Sequence, residues 1–514
     1  MISVSEPEFE IIAHIMLMHI PDCKVMAFGS RYKWTAKDYS DLDLAIKCHQ
    51  KLAPGKLDEI RDAFEESELP FHVDLLDYED ISSEFREIID SGHEVLDFSK
   101  YKTPLGWKKT TLGEVTKWLS GGTPQKGNPA YWNGDIPWIS AKTMTDGWIE
   151  TSDLQITQEG LIAGSRMAPV NSILILVRGS GLYNKRSISI VREPVAFNQD
   201  IKCLIPIECI LPKFLYYVLR ANDRKLVGML ESTGIGAGKF DTDLLKKMYF
   251  PLPNTTTQQA IAATLSCLDD KIELNNKINA NLEAQAQAIF KSWFVDFEPF
   301  QDGNFVESEL GLIPEGWRVK ILKQNCSLIS KGITPRYDDN SDELVINQKC
   351  IRDNQINLTL ARKHKPKRIN EKWLQFGDVL INSTGQGTLG RVAQVTFAPQ
   401  QLTADSHVTI VRPSTPEMIF FLGDNLCQKQ SLFESMASGS TGQTDLPRER
   451  LQNLLMIIPP KKILEDYSEI IAPNKKMITQ NMKESNILAA IRDALLPKLM
   501  SGEIEVPVDE KASA

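Results

Sequence analysis

The sequence predicts a multidomain protein of the α/β and α+β classes. A small α/β domain precedes two repeated β-rich domains, and each β-rich domain is followed by a long helix. Three observations support this fold class: alternating strands with acidic residues before residue 100, motifs that recur about 210 residues apart, and two long heptad patterns. A chain of 514 residues is long enough for three or four domains with sizeable cores.

Charge is distributed unevenly along the chain. The formal net charge is −9. Residues 1–100 contain 10 Lys and Arg against 22 Asp and Glu, a net charge of −12, whereas residues 101–254 carry +6 (19 against 13) and residues 306–460 carry +2 (18 against 16). The mildly basic segments permit a DNA partner but do not by themselves indicate one.

The first hundred residues have the pattern of a compact α/β unit. Gly29 and Ser30 follow a predicted strand, and Asp41, Asp43 and Asp74 lie on later ones. Carboxylates on adjacent strands repel one another unless cations lie between them, and such a site suits two Mg²⁺ ions holding a nucleoside triphosphate. Gly29 allows the backbone to approach phosphate, and the Ser30 hydroxyl can bond to it. The expected elements are helices over Glu8–His19 and Lys56–Glu68 and strands over Lys24–Phe28, Ser40–Ile46 and Phe71–Leu76.

These residues together resemble the minimal nucleotidyltransferase domain of the polymerase-beta superfamily, over nearly all of residues 1–100. The resemblance implies a Mg²⁺ site at Asp41, Asp43 and Asp74, in which the first two bind metal and the third helps to activate the attacking hydroxyl. It implies that Gly29 and Ser30 contact a nucleoside triphosphate. Two alternatives fit the same pattern, namely a decayed domain retained for interactions and a chance pair of strands.

Residues 103–254 and 313–460 are predicted to be two copies of one domain, because short motifs recur in the same order. Each copy has many Gly and Pro turns, which indicates a mixed β-rich domain rather than a solenoid. The paired segments are 106–108 and 316–318, 119–124 and 329–335, 172–181 and 378–387, and 244–253 and 451–460.

Two heptad patterns, in residues 255–299 and 461–502, predict long helices that pair with each other. About forty residues at ~1.5 Å each give a rod of roughly 60 Å. Asn275, Asn279, Asn474 and Asn481 occupy the seams. Buried asparagines would fix the register of the helices, and the alternative is that they face solvent beside a neighbouring seam.

The order of domains and helices resembles the specificity subunit of type I restriction–modification systems, over about residues 103–505. Local matches are residues 250–253 before the first helix, 291–297 at its end and 495–499 at the end of the second. The resemblance implies that each β-rich domain is a target-recognition domain for one half of a split DNA site. It also implies that the helices pair antiparallel as a coiled coil, set the spacing between the halves and dock two methyltransferase subunits, with restriction and translocase subunits as further partners.

Two short segments match catalytic motifs only superficially. Residues 128–131 (Asn-Pro-Ala-Tyr) lack the second proline of the amino-methyltransferase tetrapeptide. The glycine-rich segment ending at Lys239 has Thr233 and Phe240 where a P-loop needs Gly and Ser or Thr. We therefore expect this chain to recognise DNA without a cofactor while its partners carry out the chemistry.

Gly-rich loops with Arg, Lys, Asn and Thr are the expected DNA-binding surfaces, because small residues admit the DNA backbone and forked donors reach bases or phosphates. For each single residue the alternative is an ordinary structural or solvated role. The basic run from Arg362 to Arg368 is expected to contact phosphate rather than bases. The candidates are Thr123, Lys126, Trp132, Arg178, Lys185, Arg186 and Lys239 in the first copy, and Arg336, Arg362, Lys363, Lys365, Asn382, Thr384, Arg391 and Gln443 in the second.

Cysteine usage and hydropathy indicate the compartment. The eight cysteines form no Cys-x-x-Cys pair, so we expect reduced, structural cysteines. The apolar runs are too short for a membrane span, and Glu6, Glu8 and Glu10 do not suit a secretory signal. The expected location is the cytoplasm.

The sequence therefore predicts a DNA sequence-recognition subunit fused to a nucleotidyltransferase-like domain. The competing prediction is a nucleotidyltransferase, acting on a protein or a nucleic acid, that the repeats deliver to its target. The expected boundaries are 1–100 for the first domain, 103–254 and 306–460 for the recognition domains, 255–299 and 461–502 for the helices, and 503–514 for a disordered tail.

Overall fold

The computed structural model describes residues 2–37, 40–48, 52–98, 104, 106–183, 186–232, 236–365, 372–438 and 444–507. The chain divides into two compact units, of which the first comprises residues 1–269 and 490–514 and the second residues 270–489. The division cuts both long helices, so each helix contributes to both units. Among the described residues, no helix is long and apolar enough to span a membrane.

The N-terminal domain is a sheet with helices against both of its faces. Its described elements are α1 (Glu6–His19), β1 (Lys24–Phe28), α2 (Gly29–Tyr32), β2 (Leu42–Lys47), α3 (Lys56–Glu65), β3 (Val73–Asp77), α4 (Ser83–Ser91) and β4 (Glu94–Val95). The strand order is β3-β2-β1-β4, with β2 and β3 parallel. One face buries Leu44 and Leu75 against α1 and α3, and the other buries Met26 and Ala45 against Ile89 of α4.

The first repeat contains a five-stranded sheet, order β6-β15-β11-β13-β8, beside smaller sheets. Its apolar strands pack against helix α6 and the start of the first long helix in one core. The described elements are β5 (Lys108–Thr111), β6 (Thr116–Ser120), β7 (Trp132–Ile139), β8 (Gly147–Ile149), β9 (Gln155–Ile156), α5 (Gln158–Gly164), β10 (Arg166–Ala168), β11 (Ile173–Leu176), β12 (Arg178–Gly179), β13 (Ile188–Val191), β14 (Val195–Phe197), β15 (Ile201–Pro206), α6 (Pro212–Ala221), α7 (Asp223–Gly228), β16 (Leu230–Ser232), β17 (Gly238–Phe240), α8 (Thr242–Lys247) and β18 (Tyr249–Leu252).

The second repeat contains a four-stranded sheet, order β22-β30-β27-β28, and its own core. The described elements are β19 (Phe305–Ser308), β20 (Gly311–Pro314), β21 (Arg318–Ile321), β22 (Cys326–Lys331), β23 (Leu344–Ile346), β24 (Ile351–Arg352), β25 (Gln355–Ile356), β26 (Arg362–Lys363), β27 (Val379–Asn382), β28 (Val392–Gln394), β29 (Leu402–Ala404), β30 (Val408–Pro413), α10 (Met418–Cys427), α11 (Gln430–Met436), α12 (Arg448–Gln452) and β31 (Leu455–Ile458). The long helices are α9 (Thr255–Phe294) and α13 (Lys461–Met500).

The two repeats share a topology. The order β6-β15-β11-β13 in the first corresponds to β22-β30-β27-β28 in the second, and the pair β5–β18 corresponds to β21–β31. The repeated motif has a glycine for the same structural reason in both copies, namely close packing against a backbone carbonyl. A Cβ added to Gly121 would lie 2.2 Å from the Phe197 carbonyl oxygen, and one added to Gly332 would lie 2.1 Å from that of Ala404. The predicted duplication is thus visible in strand order and in close backbone packing.

The long helices pair along the predicted seam. In the second unit, Asn275 of α9 contacts Ser485 of α13, and Asn279 contacts Asn481. The residue number rises by four along α9 between these two contacts and falls by four along α13, so the two helices are antiparallel. The predicted fold class is confirmed. Helix α9 ends at Phe294, five residues before the predicted end, because Phe297 adopts a left-handed backbone conformation (φ 56°) just before Pro299.

The expectation of reduced cysteines is wrong for one pair. Cys23 and Cys48 form a disulfide, with their Cα atoms 4.4 Å apart. Lys24 pairs with Lys47 in the antiparallel β1–β2 ladder, so the two cysteines just outside this pair lie opposite each other. A separation of 25 residues matches no cysteine motif, and the pairing follows only from the strand register.

Candidate functional site

The strand register places the N-terminal carboxylates beside one another. Asp43 of β2 is the register partner of both Phe28 in β1 and Asp74 in β3. Register partners on neighbouring strands point to the same face of a sheet. Asp43 and Asp74 therefore project from one face, on the side where β1 ends.

Gly29 fits closely against this carboxylate pair. Its φ is +74°, in the region that favours glycine, and a Cβ at this position would lie 2.0 Å from Asp43 Oδ2. The Gly29–Ser30 segment, at the start of α2, therefore passes directly beside Asp43. This contact with Asp43 accounts for glycine at the position, and the predicted approach of phosphate to Gly29 stays a prediction.

Charge repulsion and partial burial act together on Asp43. Burial raises the pKa of this carboxyl, and the neighbouring carboxylates of Asp74 and Asp41 raise it further. Within the described ranges, no three Asp, Glu, His or Cys side chains already form a group that could hold a metal ion. The oxygen donors of Asp43 and Asp74, next to Gly29 with its lack of a side chain, nevertheless fit a hard cation such as Mg²⁺. A bound cation would offset the repulsion that raises the pKa of Asp43.

Arg31 and His72 belong to this region and were missed in the sequence. Arg31 is buried, its Nε donates to the Ser40 carbonyl at 2.9 Å, and its guanidinium lies 3.7 Å from the centre of the Phe71 ring. It thereby fixes the backbone next to Asp41. His72 Nδ1 lies 3.3 Å from Asp74 Oδ1. Only the position of Arg31 directly after Gly-Ser could have drawn attention to it.

Two of the first-repeat candidates lie together. Arg178 in β12 is the register partner of Lys239 in β17, and Gly179 faces Gly238 beside them. Arg178 is exposed, and Lys239 lies between it and Glu231 of β16. Two cations beside a glycine pair form a small surface that can accept a phosphate group.

The other first-repeat candidates are less suited to DNA contact. Arg186 Nε donates to Asp223 Oδ1 at 2.7 Å, so a carboxylate already neutralises it. Thr123 donates to Gln199 at 2.6 Å, and the Trp132 ring packs edge-on against Trp138. Lys126 is exposed. Lys185 lies outside the described residues.

Four second-repeat candidates form a basic platform, which we define as Arg336, Arg362, Lys363 and Lys365. All four are exposed. The backbone N–H of Lys365 donates to the Arg336 carbonyl at 2.9 Å, which joins the two segments. The Arg362 guanidinium lies 3.4 Å from the centre of the Tyr337 ring, which orients it. The remainder of the predicted basic run, residues 366–368, lies outside the described residues.

The predicted DNA contact of Asn382 is wrong for this structure. Asn382 is fully buried, and its Nδ2 donates to the carbonyls of Gln348 and Thr388 at 3.0 Å each, so it shapes the loop from within. Thr384 bonds to Gln348 and His407 through its hydroxyl, and Arg391 donates to the Gly387 carbonyl. Gln443 is not among the described residues.

Each repeat is attached to the long helices through a Tyr–Asp–cation group, half-buried at the first repeat and more deeply buried at the second. In the first junction, Tyr217 of α6 donates to Asp269 of α9 at 2.7 Å, and Arg492 of α13 donates to the same carboxylate at 2.6 Å. In the second junction, Tyr467 and Lys475 of α13 both donate to Asp424 of α10 at 2.7 Å. Burial, followed by the neighbouring Asp424, raises the pKa of Tyr467. These contacts hold each repeat against its long helix.

Comparison with known proteins gives matches to the N-terminal domain and to the region that follows it. The family model described as the type I restriction modification DNA specificity domain matches residues 104–284, and the polymerase beta nucleotidyltransferase model matches residues 19–101. The N-terminal domain is 44% identical over 95 residues to the probable protein adenylyltransferase MntA of Haemophilus influenzae, covering 18% of this chain and 83% of that protein.

The remainder of the chain is similar to specificity subunits. The type I restriction enzyme MjaIX specificity subunit of Methanocaldococcus jannaschii is 30% identical over 425 residues, which cover 79% of this chain and 95% of that protein. The crystal structure of a type I restriction–modification S subunit from M. genitalium matches with a TM-score of 0.49 and 16% identity, over 78% of this chain and 97% of that one. Both predicted resemblances are confirmed, and the chain belongs to the family of type I restriction enzyme specificity subunits, with a nucleotidyltransferase domain at its N-terminal end.

Proposed function

We propose that this protein is the DNA sequence-recognition subunit of a type I restriction–modification complex. The observation that carries the proposal is the duplication of a β-rich domain and a 40-residue helix in a chain that matches a specificity subunit over 79% of its length. The alternative, a nucleotidyltransferase delivered by the repeats, is not favoured. The transferase-like relative covers only 18% of the chain.

Each recognition domain would contact one half of a split DNA site. In the first domain, Arg178 and Lys239 would hold phosphate, and in the second the basic platform would do so. Such contacts position a protein on DNA without reading its sequence. Sequence readout would come from neighbouring loop side chains and from the shape of the DNA.

The paired helices would set the distance between the two half-sites. Asn275 is fully buried and donates to Glu484 and Ser485 at 2.8 and 3.3 Å, and Asn481 donates to Asn279 at 2.9 Å. A buried asparagine loses its partner when the helices slip, so these bonds favour one register. A single register of the helices gives a single distance between the two half-sites.

The partners proposed are two methyltransferase subunits, together with restriction and translocase subunits, in the cytoplasm. Support comes from membership of the specificity-subunit family and from the sequence, which offers no convincing methyltransferase or P-loop motif after residue 100. The chain alone should therefore show neither methyltransferase nor nuclease activity.

Footprinting of the reconstituted complex tests this function. The chain, mixed with its two methyltransferase subunits, should protect two short DNA segments separated by an unprotected gap. A variant with Arg362, Lys363 and Lys365 changed to Ala should weaken protection of one segment more than that of the other. A single continuous footprint, or none, would contradict the proposal.

We also propose that the N-terminal domain binds Mg²⁺ and a nucleoside triphosphate and transfers a nucleotide. The specific observation is the fit of Gly29 against Asp43, with Asp74 as the register partner, in a domain 44% identical to a probable protein adenylyltransferase. Asp41 and Asp43 would hold the cation, which neutralises phosphate charge when bound. Gly29 and Ser30 would contact the triphosphate, and Asp74 would accept the proton of the attacking hydroxyl.

The double variant Asp41→Ala/Asp43→Ala separates the two functions. Transfer of label from an α-labelled triphosphate should be lost, while DNA modification by the assembled complex should persist. If DNA modification is lost as well, although the protein remains folded, the N-terminal domain is part of the recognition function.

A further inference from the structure

The two faces of the N-terminal sheet differ in what covers them. Helices α1 and α3 cover the face that carries Leu44 and Leu75. Side chains alternate between faces along a strand, so Asp43 shares the opposite face with Ala45, which packs against α4. Because Asp74 is the register partner of Asp43, a molecule that reaches these carboxylates must approach from the α4 side.

Helix α4 lies next to the proposed nucleotide site. The ring of Phe85 in α4 packs edge-on against Phe28, with the centroids 6.1 Å apart, and Phe28 is the register partner of Asp43. At the other end of α4, a Cβ on Gly92 would lie 3.3 Å from the Tyr32 ring of α2. Helix α4 therefore flanks the Gly29–Ser30 segment along its length.

The outer surface of α4 is both apolar and acidic. Ile88 is 59% exposed and Phe85 is 37% exposed. Glu84 and Glu87 are also exposed. Residues three or four positions apart share one side of a helix, so these four side chains form a continuous patch, which we call the α4 surface.

We propose that the α4 surface docks the acceptor of nucleotide transfer, and that this acceptor is a protein with a basic, partly apolar surface around a Ser, Thr or Tyr hydroxyl. The inference rests on the proposed transferase function and specifies its substrate. The charge of the domain favours this class of acceptor. Residues 1–100 carry a net charge of −12, which attracts a basic protein surface and repels the phosphates of a nucleic acid.

The proposed transfer reaction requires the acceptor hydroxyl to lie beside Asp74. The hydroxyl oxygen attacks the α-phosphorus of the triphosphate and forms a new P–O bond. The bond from the α-phosphorus to the bridging oxygen of the β-phosphate breaks, and pyrophosphate leaves with the electron pair. The hydroxyl proton passes to the Asp74 carboxylate. A folded acceptor held on α4 gains this orientation before reaction, which increases the rate of transfer.

The test uses the full chain, Mg²⁺, the four α-³²P-labelled nucleoside triphosphates and an extract of the source cells. Two variants alter the α4 surface: Ile88→Ser, and the charge reversal Glu84→Lys/Glu87→Lys. The matched control is Ile162→Ser, because Ile162 is an exposed apolar residue (79%) on α5 of the first repeat. The measurements are label in protein and in nucleic acid, triphosphate affinity of the purified chain, and its native mass.

The expected result is a labelled basic protein whose labelling requires Asp43 and falls at least tenfold in both α4 variants, with triphosphate affinity unchanged. The Ile162→Ser control should label as the natural chain does. Labelling that survives the α4 variants would overturn the docking surface while leaving transferase activity intact. Label in nucleic acid, or in an acidic protein, would overturn the acceptor class.

Two further outcomes also decide the proposal. A change in native mass without a change in labelling would identify the α4 surface as a self-association site and overturn the proposal. Absence of triphosphate binding, or of any label, would contradict the proposed transferase function itself, and the docking proposal would fall with it.

Discussion

The first and second junctions hold their recognition domains with the same chemical groups in exchanged positions. In the first, the domain helix supplies tyrosine (Tyr217) and the long helix supplies aspartate (Asp269). In the second, the domain helix supplies aspartate (Asp424) and the long helix supplies tyrosine (Tyr467). The helices align by their buried residues: Phe214, Leu215 and Leu219 of α6 match Phe421, Leu422 and Leu426 of α10 at an offset of 207 (421 minus 214), which places Tyr217 opposite Asp424.

The exchange shows that the contact, rather than the residue at each position, is what the two copies share. A buried carboxylate needs a hydrogen-bond donor and a cation, and either helix can supply them. The source of the cation differs. Arg492 comes from the helix paired with α9, whereas Lys475 lies on the same helix as Tyr467. The first junction therefore also ties the two long helices together.

Asp424→Ala should give the largest effect, because it leaves Lys475 without its carboxylate and Tyr467 without its acceptor in a buried site. Breaking a buried ion pair costs about 3–5 kcal/mol. The loss should be confined to the second unit, as measured by hydrogen exchange of peptides from residues 270–489. Equal loss of protection in the first unit would contradict the view that each junction stabilises its own repeat.

Asp269→Ala should destabilise the first unit less, by about 2 kcal/mol, because Arg492 keeps a second partner. Its Nη2 lies 2.7 Å from Asp493, whose side chain is 60% exposed. The same exchange experiment on residues 1–269 measures this effect. A loss as large as that in Asp424→Ala would show that Asp493 does not compensate.

The seam asparagines test how the helices between the junctions are held. Asn275→Leu should strengthen the pair but allow slipped or oligomeric species, because the register-fixing bonds to Glu484 and Ser485 are lost. Asn474→Leu is the matched control, since Asn474 was predicted to lie on the same seam but is only half-buried, whereas Asn275 is fully buried. Size-exclusion chromatography with light scattering should show heterogeneity for Asn275→Leu alone. A homogeneous species of unchanged size in both would contradict the register role.

The smallest effects concern the cations that we propose contact DNA in the first recognition domain. Removing Arg178 and Lys239 together should reduce the salt dependence of DNA affinity by about 1.8 in log–log slope, as for two phosphate contacts. Arg186→Ala should leave the slope unchanged, because Asp223 already neutralises Arg186. Binding titrations from 50 to about 200 mM salt give these slopes. A larger change for Arg186→Ala than for the pair would reverse the assignment.

Most of the fold could be predicted from the hydrophobic periodicity and from the order of the repeated motifs. The strand over Lys24–Phe28 appears with the predicted bounds, and both long helices begin where the heptads begin. Asp43 and Asp74 were placed together because alternation along strands fixes the face on which a side chain lies. These features depend on neighbours in the sequence, which a single chain displays directly.

Contacts between distant segments were not predictable. Asp424 meets Tyr467 across 43 residues, and Tyr217 meets Asp269 across 52. The sequence around each of these residues does not indicate which distant residue it contacts. Its Gly-rich loop makes Asn382 a candidate for DNA contact, whereas in the structure the side chain is buried and donates to the carbonyls of Gln348 and Thr388. Tertiary packing decides such roles, and the sequence does not show it.

Sequencing of methylated bases in cells that carry this gene tests the central claim most directly. The natural chain should produce methylation at two short sequences separated by a gap of fixed length. Insertion of four residues after Lys277 in α9, together with four after Lys483 in α13, should change the gap and leave both half-sequences intact. A continuous methylated sequence, or half-sequences that change while the gap does not, would contradict DNA recognition by two domains set apart by the paired helices.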